Sequence, residues 1–167
     1  MIVFGLGSNL GNRLVNLRSA VEKLNSFGKI EITSDVFETE AWGGIEQPNF
    51  LNACVGMTIS KILEKNPLEI LKLVKNFEIE LGRVPSVRWG ARKIDIDILL
   101  IDEIIFDTPE LTIPHKYLHD RLFVLEPLEQ IEKKIPNWKH PFLKLSIPEM
   151  KSKIANSQAK PLRITNL

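Results

Sequence analysis

The chain has 167 residues, a formal net charge of +1 at pH 7 and a hydrophobic content of 44%. These values are typical of a globular protein with its own core, and the near-zero charge argues against bulk electrostatic binding to nucleic acid or membranes. The single cysteine, Cys54, excludes an internal disulfide framework, and its apolar surroundings predict a small core residue. The chain contains no recognisable membrane span or signal peptide, so we expect one cytoplasmic domain over residues 1–167.

The first sixty residues predict a strand, a helix and a hairpin. The apolar run MIVFGLG predicts the opening strand, and residues 12–28 repeat apolar side chains at helical spacing behind the cap residue Asn12. Residues 29–41 and 50–60 alternate as strands on either side of the loop WGGIEQPN. This pattern indicates a hairpin with a wide loop.

Residues 66–82 predict a second helix, which starts at Asn66-Pro67 and ends at Gly82. Its predicted buried stripe consists of Ile70, Val74, Phe77 and Leu81. Glu78 lies at the edge of this stripe rather than on the solvent face, which is an unusual place for a carboxylate.

The segment RWGARKIDIDILLIDE, residues 88–103, combines a cationic loop with a β-strand. Asp95 and Asp97 alternate with isoleucines, so both carboxylates point to one face of the strand. Two like charges this close repel unless water or a cation separates them. The pair predicts either a wet strand face or two ligands for Mg²⁺, which prefers carboxylate and phosphate oxygens.

The remainder of the chain has weaker patterns. EIIF, residues 103–106, predicts a short strand, residues 122–131 a short helix or turn, and the proline-rich tail a segment that wraps the surface. The element order β-α-β-β-α-β predicts an α+β fold with a ferredoxin-like split β-α-β antiparallel sheet and flanking helices, an α/β/α sandwich.

Two segments carry cations and polar rings suited to a polyphosphate. Arg83, Arg88 and Arg92 precede the aspartate pair, while His115 and its neighbours Tyr117 and Arg121 follow in IPHKYLHDRLF. Arginines offer forked donors to phosphate oxygens, and carboxylates hold the metals that bridge those oxygens. The alternative for any one arginine is a surface salt bridge.

A third cluster surrounds the hairpin loop and suits a flat heterocycle. Trp42 and Phe50 offer stacking faces, and the amide of Asn52 can donate and accept in one plane. The alternative is that the two aromatic residues are ordinary hairpin hydrophobes. The glycines after Trp42 would allow the loop to close over a ligand.

Two further likenesses are weak. GSNLGNR with a later Asp-x-Asp is similar to metal-dependent nucleotidyltransferases, but here almost ninety residues separate Gly7-Ser8 from the aspartates. GLGSNLG imitates a phosphate-binding loop but has neither of the established glycine spacings.

The ordered set GLGSNLGNR, QPNFLN, LGRV…RWGARKIDIDIL and IPHKYLHDRLFVLEPL closely resembles the 6-hydroxymethyl-7,8-dihydropterin pyrophosphokinase (HPPK) family of folate synthesis. The resemblance runs from residue 1 to about residue 130, and the remainder is a C-terminal extension. It implies the same sandwich fold and the transfer of the β,γ-diphosphate of ATP to the pterin hydroxymethyl group, which releases AMP.

The resemblance also assigns roles to individual residues. Asp95 and Asp97 would hold two Mg²⁺ ions, and Arg83 and Arg92 would be catalytic. The ATP-binding positions would be Glu78, Arg83, Arg88, Arg92, Ile98, His115, Tyr117 and Arg121, and the pterin-binding positions Thr39, Trp42, Phe50, Asn52, Trp89 and Phe123. Gly7 to Asn9 would mainly shape a turn. The expected partners are these small molecules, with a monomeric protein and no nucleic acid or membrane.

Five positions depart from the family pattern: Glu40 and Ala91 replace common prolines, Trp42 an aliphatic residue, Lys75 a glutamine and Pro85 a loop arginine. Two other functions stay open: a nucleotidyltransferase, which would release pyrophosphate, and a ferredoxin-like regulatory module, which would not turn over ATP.

Overall fold

The computed structural model describes residues 1–41, 46–61, 65–85 and 90–167. The strands are β1 (Ile2–Ser8), β2 (Lys29–Thr33), β3 (Asp35–Thr39), β4 (Phe50–Thr58), β5 (Asp95–Ile101), β6 (Phe106–Asp107), β7 (Thr112–Ile113) and β8 (Leu162–Asn166). The helices are α1 (Arg13–Asn25), α2 (Pro67–Glu80), α3 (Leu122–Ile131) and α4 (Ile147–Ile154). None of the helices in the described ranges combines the length and apolar character needed to span a bilayer.

The main sheet has six strands, and each of its strand pairs is antiparallel. Its order is β5-β1-β4-β3-β8. β3 pairs with the first part of β4, and β2 pairs with the last part of the same strand. The strands β6 and β7 form a separate two-stranded sheet. β1 therefore lies between the strand that carries the aspartates and the second strand of the predicted hairpin.

Each face of the sheet is covered by a pair of helices, which confirms the predicted α+β sandwich. On one face, Ile2 and Phe4 of β1 pack with Ile96 of β5 and with the buried residues of α1 and α2. On the other face, Val3 and Cys54 belong to a second core built from α3 and α4. The alternation of side chains along each strand produces these two cores.

The helix boundaries follow the expected local signals. The side chain of Asn12 accepts a hydrogen bond from the backbone N–H of Val15 at 3.2 Å, as a helix cap does. Ile70 and Val74 of α2 are buried as predicted, but Leu81 lies beyond the end of the helix and is only partly buried. Glu78 is instead among the buried residues of α2.

The first strand of the predicted hairpin is interrupted at Ser34, so that residues 29–41 form β2 and β3 rather than one strand. The Ser34 hydroxyl accepts a hydrogen bond from the backbone N–H of Cys54 at 2.8 Å and donates to the Asp35 carbonyl oxygen at 2.7 Å. The side chain thereby replaces a regular ladder hydrogen bond at the break.

The C-terminal part has more regular structure than its prolines suggested. The predicted strand over residues 103–106 is displaced to Phe106–Asp107. Residues 122–131, predicted to be a short helix or a turn, form the helix α3. The tail does not merely wrap the surface: α4, started by the capping box of Ser146 and Glu149, contributes Ile147 and Met150 to the second core. β8 then extends the sheet beyond β3.

Candidate active site

β5 presents its two aspartates on the sheet face opposite its buried isoleucines. Ile94, Ile96 and Ile98 are at most 2% exposed and belong to the core under α1 and α2. Asp95 and Asp97 line a common cavity on the other face, as the alternation predicted. The two carboxylates are therefore held on a rigid strand rather than on a loop.

Two glycines of β1 leave room for this cavity. Gly5 pairs with Asp97 and Gly7 with Asp95 in the β1–β5 ladder. A Cβ atom at Gly7 would lie 3.4 Å from Oδ1 of Asn52 and 3.9 Å from Cβ of Asp95, so a longer side chain would fill the cavity. The signal for this feature was the alternation of glycine with apolar residues in the opening strand.

Asp95 is surrounded by cations. Nη1 of Arg83 lies 2.6 Å from its Oδ1, Nη1 of Arg92 contacts its Oδ2, and Nζ of Lys75 lies 3.9 Å from Oδ1. Burial alone would raise the pKa of Asp95, but the charges of Lys75, Arg92 and Arg83 outweigh it and hold the pKa below its ordinary value. Arg83 and Arg92, the two arginines predicted to be catalytic, therefore both form ion pairs with Asp95.

Asp97 has the opposite environment. Within the part of the chain that the structure describes, its carboxylate makes no hydrogen bond or ion pair. Burial, with the nearby charge of Asp95, raises its pKa to about 6. A half-buried carboxylate that lines a cavity and makes no hydrogen bond or ion pair in the described ranges is a suitable oxygen ligand for a cation.

Glu78 supports the site from α2. It is 2% exposed, its Oε1 accepts a hydrogen bond from the backbone N–H of Ile96 at 2.6 Å, and its Oε2 lies 2.5 Å from Nη1 of Arg83. Burial raises its pKa despite the nearby cation of Lys75. Glu78 therefore positions β5 and Arg83, whereas a contact with ATP stays a prediction.

The cavity that Asp95 and Asp97 line, called the first cavity below, brings together the described residues of the predicted pterin site. Its lining includes Thr39, Phe50, Asn52, Phe123, Arg92, Arg121, Asp95 and Asp97. It also includes Glu40, which stands where the family commonly has a proline. Nδ2 of Asn52 donates to Oγ1 of Thr39 at 2.7 Å, which fixes the orientation of the amide. The cavity therefore combines an oriented amide and aromatic rings with cations and carboxylates.

A second cavity adjoins the first at Asp97, and this residue lines both cavities. Its lining includes Leu71, Lys75, Ile98, His115, Tyr117 and the residues of the β6–β7 connection. Burial, and then the charge of Arg121, lowers the pKa of His115 to about 4, so its ring is neutral at pH 7. The predicted ATP positions Ile98, His115 and Tyr117 are thus gathered in one place.

Arg121 lies between an aromatic residue of the first cavity and an aromatic residue of the second. Its guanidinium carbon lies 5.0 Å from the centroid of the Tyr117 ring and 5.7 Å from that of Phe123. Stacking of this kind fixes the plane of the guanidinium group and therefore its directions of donation. Tyr117 belongs to the second cavity and Phe123 to the first.

Asn9 supports the site without lining either cavity, and the sequence reasoning missed this role because Gly7 to Asn9 were expected mainly to shape a turn. It is 2% exposed, and its Nδ2 donates to Oε1 of Gln47 and to the carbonyl oxygen of Pro48, each at 3.0 Å. Its Oδ1 accepts from the backbone N–H of Arg92 at 2.7 Å. The turn therefore joins two segments of the first cavity. The predicted site residues Trp42, Arg88 and Trp89 lie outside the described residues.

Comparisons with known proteins identify the family of the chain. A profile of the family described as 7,8-dihydro-6-hydroxymethylpterin-pyrophosphokinase (HPPK) matches residues 3–133. The chain is 41% identical over 150 residues to the 2-amino-4-hydroxy-6-hydroxymethyldihydropteridine pyrophosphokinase of Aquifex aeolicus, covering 90% of this chain and 89% of that protein. It is 42% identical over 128 residues to the Bacillus subtilis protein of the same name, covering 75% and 74% of the two chains.

The fold also has a counterpart among solved structures. Wild-type HPPK-DHPS of Plasmodium falciparum is similar with a TM-score of 0.67 and 19% identity, over 93% of this chain and 42% of that longer chain. At this identity the likeness shows the fold alone. The profile match and the two bacterial relatives show that the chain belongs to the HPPK family.

Proposed function

We propose that the chain transfers the β,γ-diphosphate of ATP to the hydroxymethyl group of 6-hydroxymethyl-7,8-dihydropterin, which yields the pterin diphosphate and AMP. Membership of the HPPK family supports the reaction. The structural observation that carries the assignment is the position of Asp97, which lines both cavities at their common boundary. A diphosphate that moves from a nucleotide in one cavity to an acceptor in the other has to pass this carboxylate.

The second cavity suits the nucleoside part of ATP. Leu71 and Ile98 offer an apolar surface, and the neutral ring of His115 adds a polar group without charge. Small-molecule sites commonly combine such apolar walls with a few oriented polar groups. The ATP triphosphate would then extend along β5 towards Arg92 and Arg121.

The first cavity suits the pterin. Phe50 and Phe123 supply aromatic faces, and the amide of Asn52 is held by Thr39 so that its remaining donor and acceptor positions are oriented. In this arrangement the hydroxymethyl group would face the carboxylates of β5.

Asp95 and Asp97 fit two Mg²⁺ ions by their chemistry, because both are carboxylates on one strand face and both line the first cavity. Bound Mg²⁺ would supply neutralisation of charge on the phosphate oxygens. Arg83 and Arg92, which hold Asp95 in its described state, are near enough to turn towards the phosphates instead. The protein thus contributes positioning and charge compensation rather than covalent catalysis.

We further infer that residues 1–167 form one pyrophosphokinase domain whose C-terminal extension completes the sandwich, and that the protein acts as a cytoplasmic monomer. The participation of α4 in the second core and of β8 in the main sheet supports the single domain.

The reaction is tested by ³¹P NMR of mixtures of the protein with ATP, Mg²⁺ and the hydroxymethyl dihydropterin. We expect resonances of AMP and of a pterin diphosphate, in equal amounts. Release of pyrophosphate would indicate a nucleotidyltransferase instead, and an unchanged ATP spectrum would favour a regulatory module. Omission of the pterin, and separately of Mg²⁺, provides the controls.

A further inference from the structure

Lys75 lies on α2 at the boundary between the aspartates and the second cavity. Its Nζ is 2.9 Å from Oε1 of Glu78 and 3.9 Å from Oδ1 of Asp95, and its side chain is 40% exposed. It lines the second cavity, together with His115, but not the first. Its charge is therefore available on the nucleoside side of the carboxylate pair.

The other cations of the site are distributed differently. Arg92 and Arg121 line the first cavity, where the acceptor would bind. Among the described residues that line the second cavity, Lys75 and Lys116 are the cationic ones. Of these two, Lys75 is the one within ion-pair distance of Asp95, whereas Nζ of Lys116 lies 5.6 Å from the centroid of the Tyr117 ring.

We propose that Lys75 binds the α-phosphate of the nucleotide, the phosphate that remains with the nucleoside and leaves as AMP. The inference rests on the proposed diphosphate transfer. In that reaction the bond between the β-phosphorus and the α,β-bridging oxygen breaks, and its electron pair stays on the oxygen that departs with AMP. The acceptor hydroxyl oxygen bonds to the β-phosphorus, and the hydroxyl proton passes to solvent.

Negative charge consequently increases on the α-phosphate as the bond breaks. An ammonium group on the nucleoside side stabilises this charge more in the transition state than in the bound substrate, and interactions of that kind accelerate the reaction. The cations of the first cavity accompany the transferred diphosphate, so they cannot serve the leaving group equally well.

Lys75 can turn to a phosphate without leaving its present partners uncompensated. Glu78 keeps the hydrogen bond from the backbone N–H of Ile96, and Asp95, which lies 3.9 Å from Nζ of Lys75, would be compensated by the Mg²⁺ that it is proposed to hold. A lysine is also a compact point charge on a flexible stem, so a small rotation of its terminal bonds changes its partner at little cost.

The experiment compares the binding of AMP and of adenosine in metal-free buffer by calorimetry, for the wild type, Lys75→Gln, Lys75→Arg and Lys72→Gln. Lys72 is the matched control, because it lies one turn earlier on α2, pairs with Glu69 at 2.7 Å and is 70% exposed. We expect Lys75→Gln to reduce the preference for AMP over adenosine about tenfold, as loss of one charge-assisted contact would. Lys75→Arg and Lys72→Gln should retain the preference.

An equal loss of AMP and adenosine affinity in Lys75→Gln would overturn the proposal, because it would indicate a structural effect on the nucleoside pocket. An unchanged preference would overturn it as well. Both results are independent of the product analysis, so the diphosphate transfer can stand while the assignment of Lys75 fails. In the reaction itself, Lys75→Gln should lower kcat more than it raises the KM for the pterin.

Discussion

Asn9 and Arg92 are joined by two hydrogen bonds that hold the end of the basic loop, just before β5, against the turn that follows β1. Oδ1 of Asn9 accepts from the backbone N–H of Arg92 at 2.7 Å, and the backbone N–H of Asn9 donates to the Arg92 carbonyl oxygen at 3.0 Å. The amide nitrogen of Asn9 donates to the carbonyl oxygen of Pro48, two residues before Phe50. One buried side chain thus sets the distance between the predicted catalytic arginine and an aromatic wall of the first cavity.

Asn9→Ala should therefore lower kcat for diphosphate transfer about tenfold or more, because Arg92 and Phe50 lose their common anchor. It should also lower the free energy of unfolding by about 1–3 kcal/mol, since buried backbone groups lose their partner. Steady-state kinetics and urea unfolding provide both measurements.

The control for this change is Asn12→Ala, which removes the cap of α1 from the same turn. It should cost about 1 kcal/mol of stability and leave kcat unchanged. If both variants lost activity in proportion to stability, Asn9 would have no positioning role beyond that of the turn.

The two aspartates should respond differently to removal of their charge. Asp97→Asn eliminates a half-buried carboxylate that makes no hydrogen bond or ion pair in the described structure, so the unliganded protein should be as stable as the wild type or more stable. Asp95→Asn removes the charged partner of Arg92 and leaves Arg83 with Glu78 alone, and should cost about 2–3 kcal/mol.

Diphosphate transfer should fall at least about a hundredfold in both variants, because both carboxylates are proposed Mg²⁺ ligands. Urea unfolding without nucleotide, together with turnover at saturating Mg²⁺, separates the effects on stability and on activity. Near wild-type turnover in either variant would contradict the two-metal assignment. Equal losses of stability would contradict the difference in their environments.

Phe50→Ala should weaken binding of the pterin about tenfold and change ATP affinity little, because Phe50 lines only the first cavity. Calorimetry with each ligand measures the two effects. Phe142→Ala, at an aromatic residue that is 66% exposed, is the control and should change neither affinity. Equal weakening of both ligands would show that Phe50 supports the whole site rather than the pterin pocket.

The sequence predicts the central part of this molecule well because its signals are local. The alternation around Asp95 and Asp97 follows from strand geometry, and the cap at Asn12 follows from the needs of a helix end. The break at Ser34 was not predictable, because the hydroxyl partner is the backbone of Cys54, twenty residues away. Period-two alternation continues through such a break.

Non-local contacts also explain what was missed in the site and in the tail. Asn9 has an ordinary turn sequence, and its contacts with Pro48 and Arg92 arise only when β1 pairs with β4 and β5. β8 is short and exposed on most of its side chains, so its hydrophobic pattern is weak. Its pairing with β3 is reinforced by an ion pair between Arg163 and Asp35 at 2.5 Å.

His115 should make the stability of the protein fall in mild acid. Burial and the nearby Arg121 lower its pKa to about 4, whereas an exposed histidine has a pKa near 6.5. Between these two values the unfolded chain binds a proton that the folded chain does not, so the free energy of unfolding decreases as the pH falls through this window. The full effect is at most about 3 kcal/mol, and it levels off below the folded pKa.

His115→Gln removes this titration. Urea unfolding of the wild type and the variant near pH 7.5, 6, 5 and 4.5 should give free energies that differ by a constant packing contribution above about pH 7. The wild type should then lose stability faster than the variant as the pH decreases, because other titrating groups are common to both proteins. Parallel curves over the whole range would mean that the folded protein accommodates a protonated His115. In that case the lowering of its pKa by burial in the second cavity would be wrong.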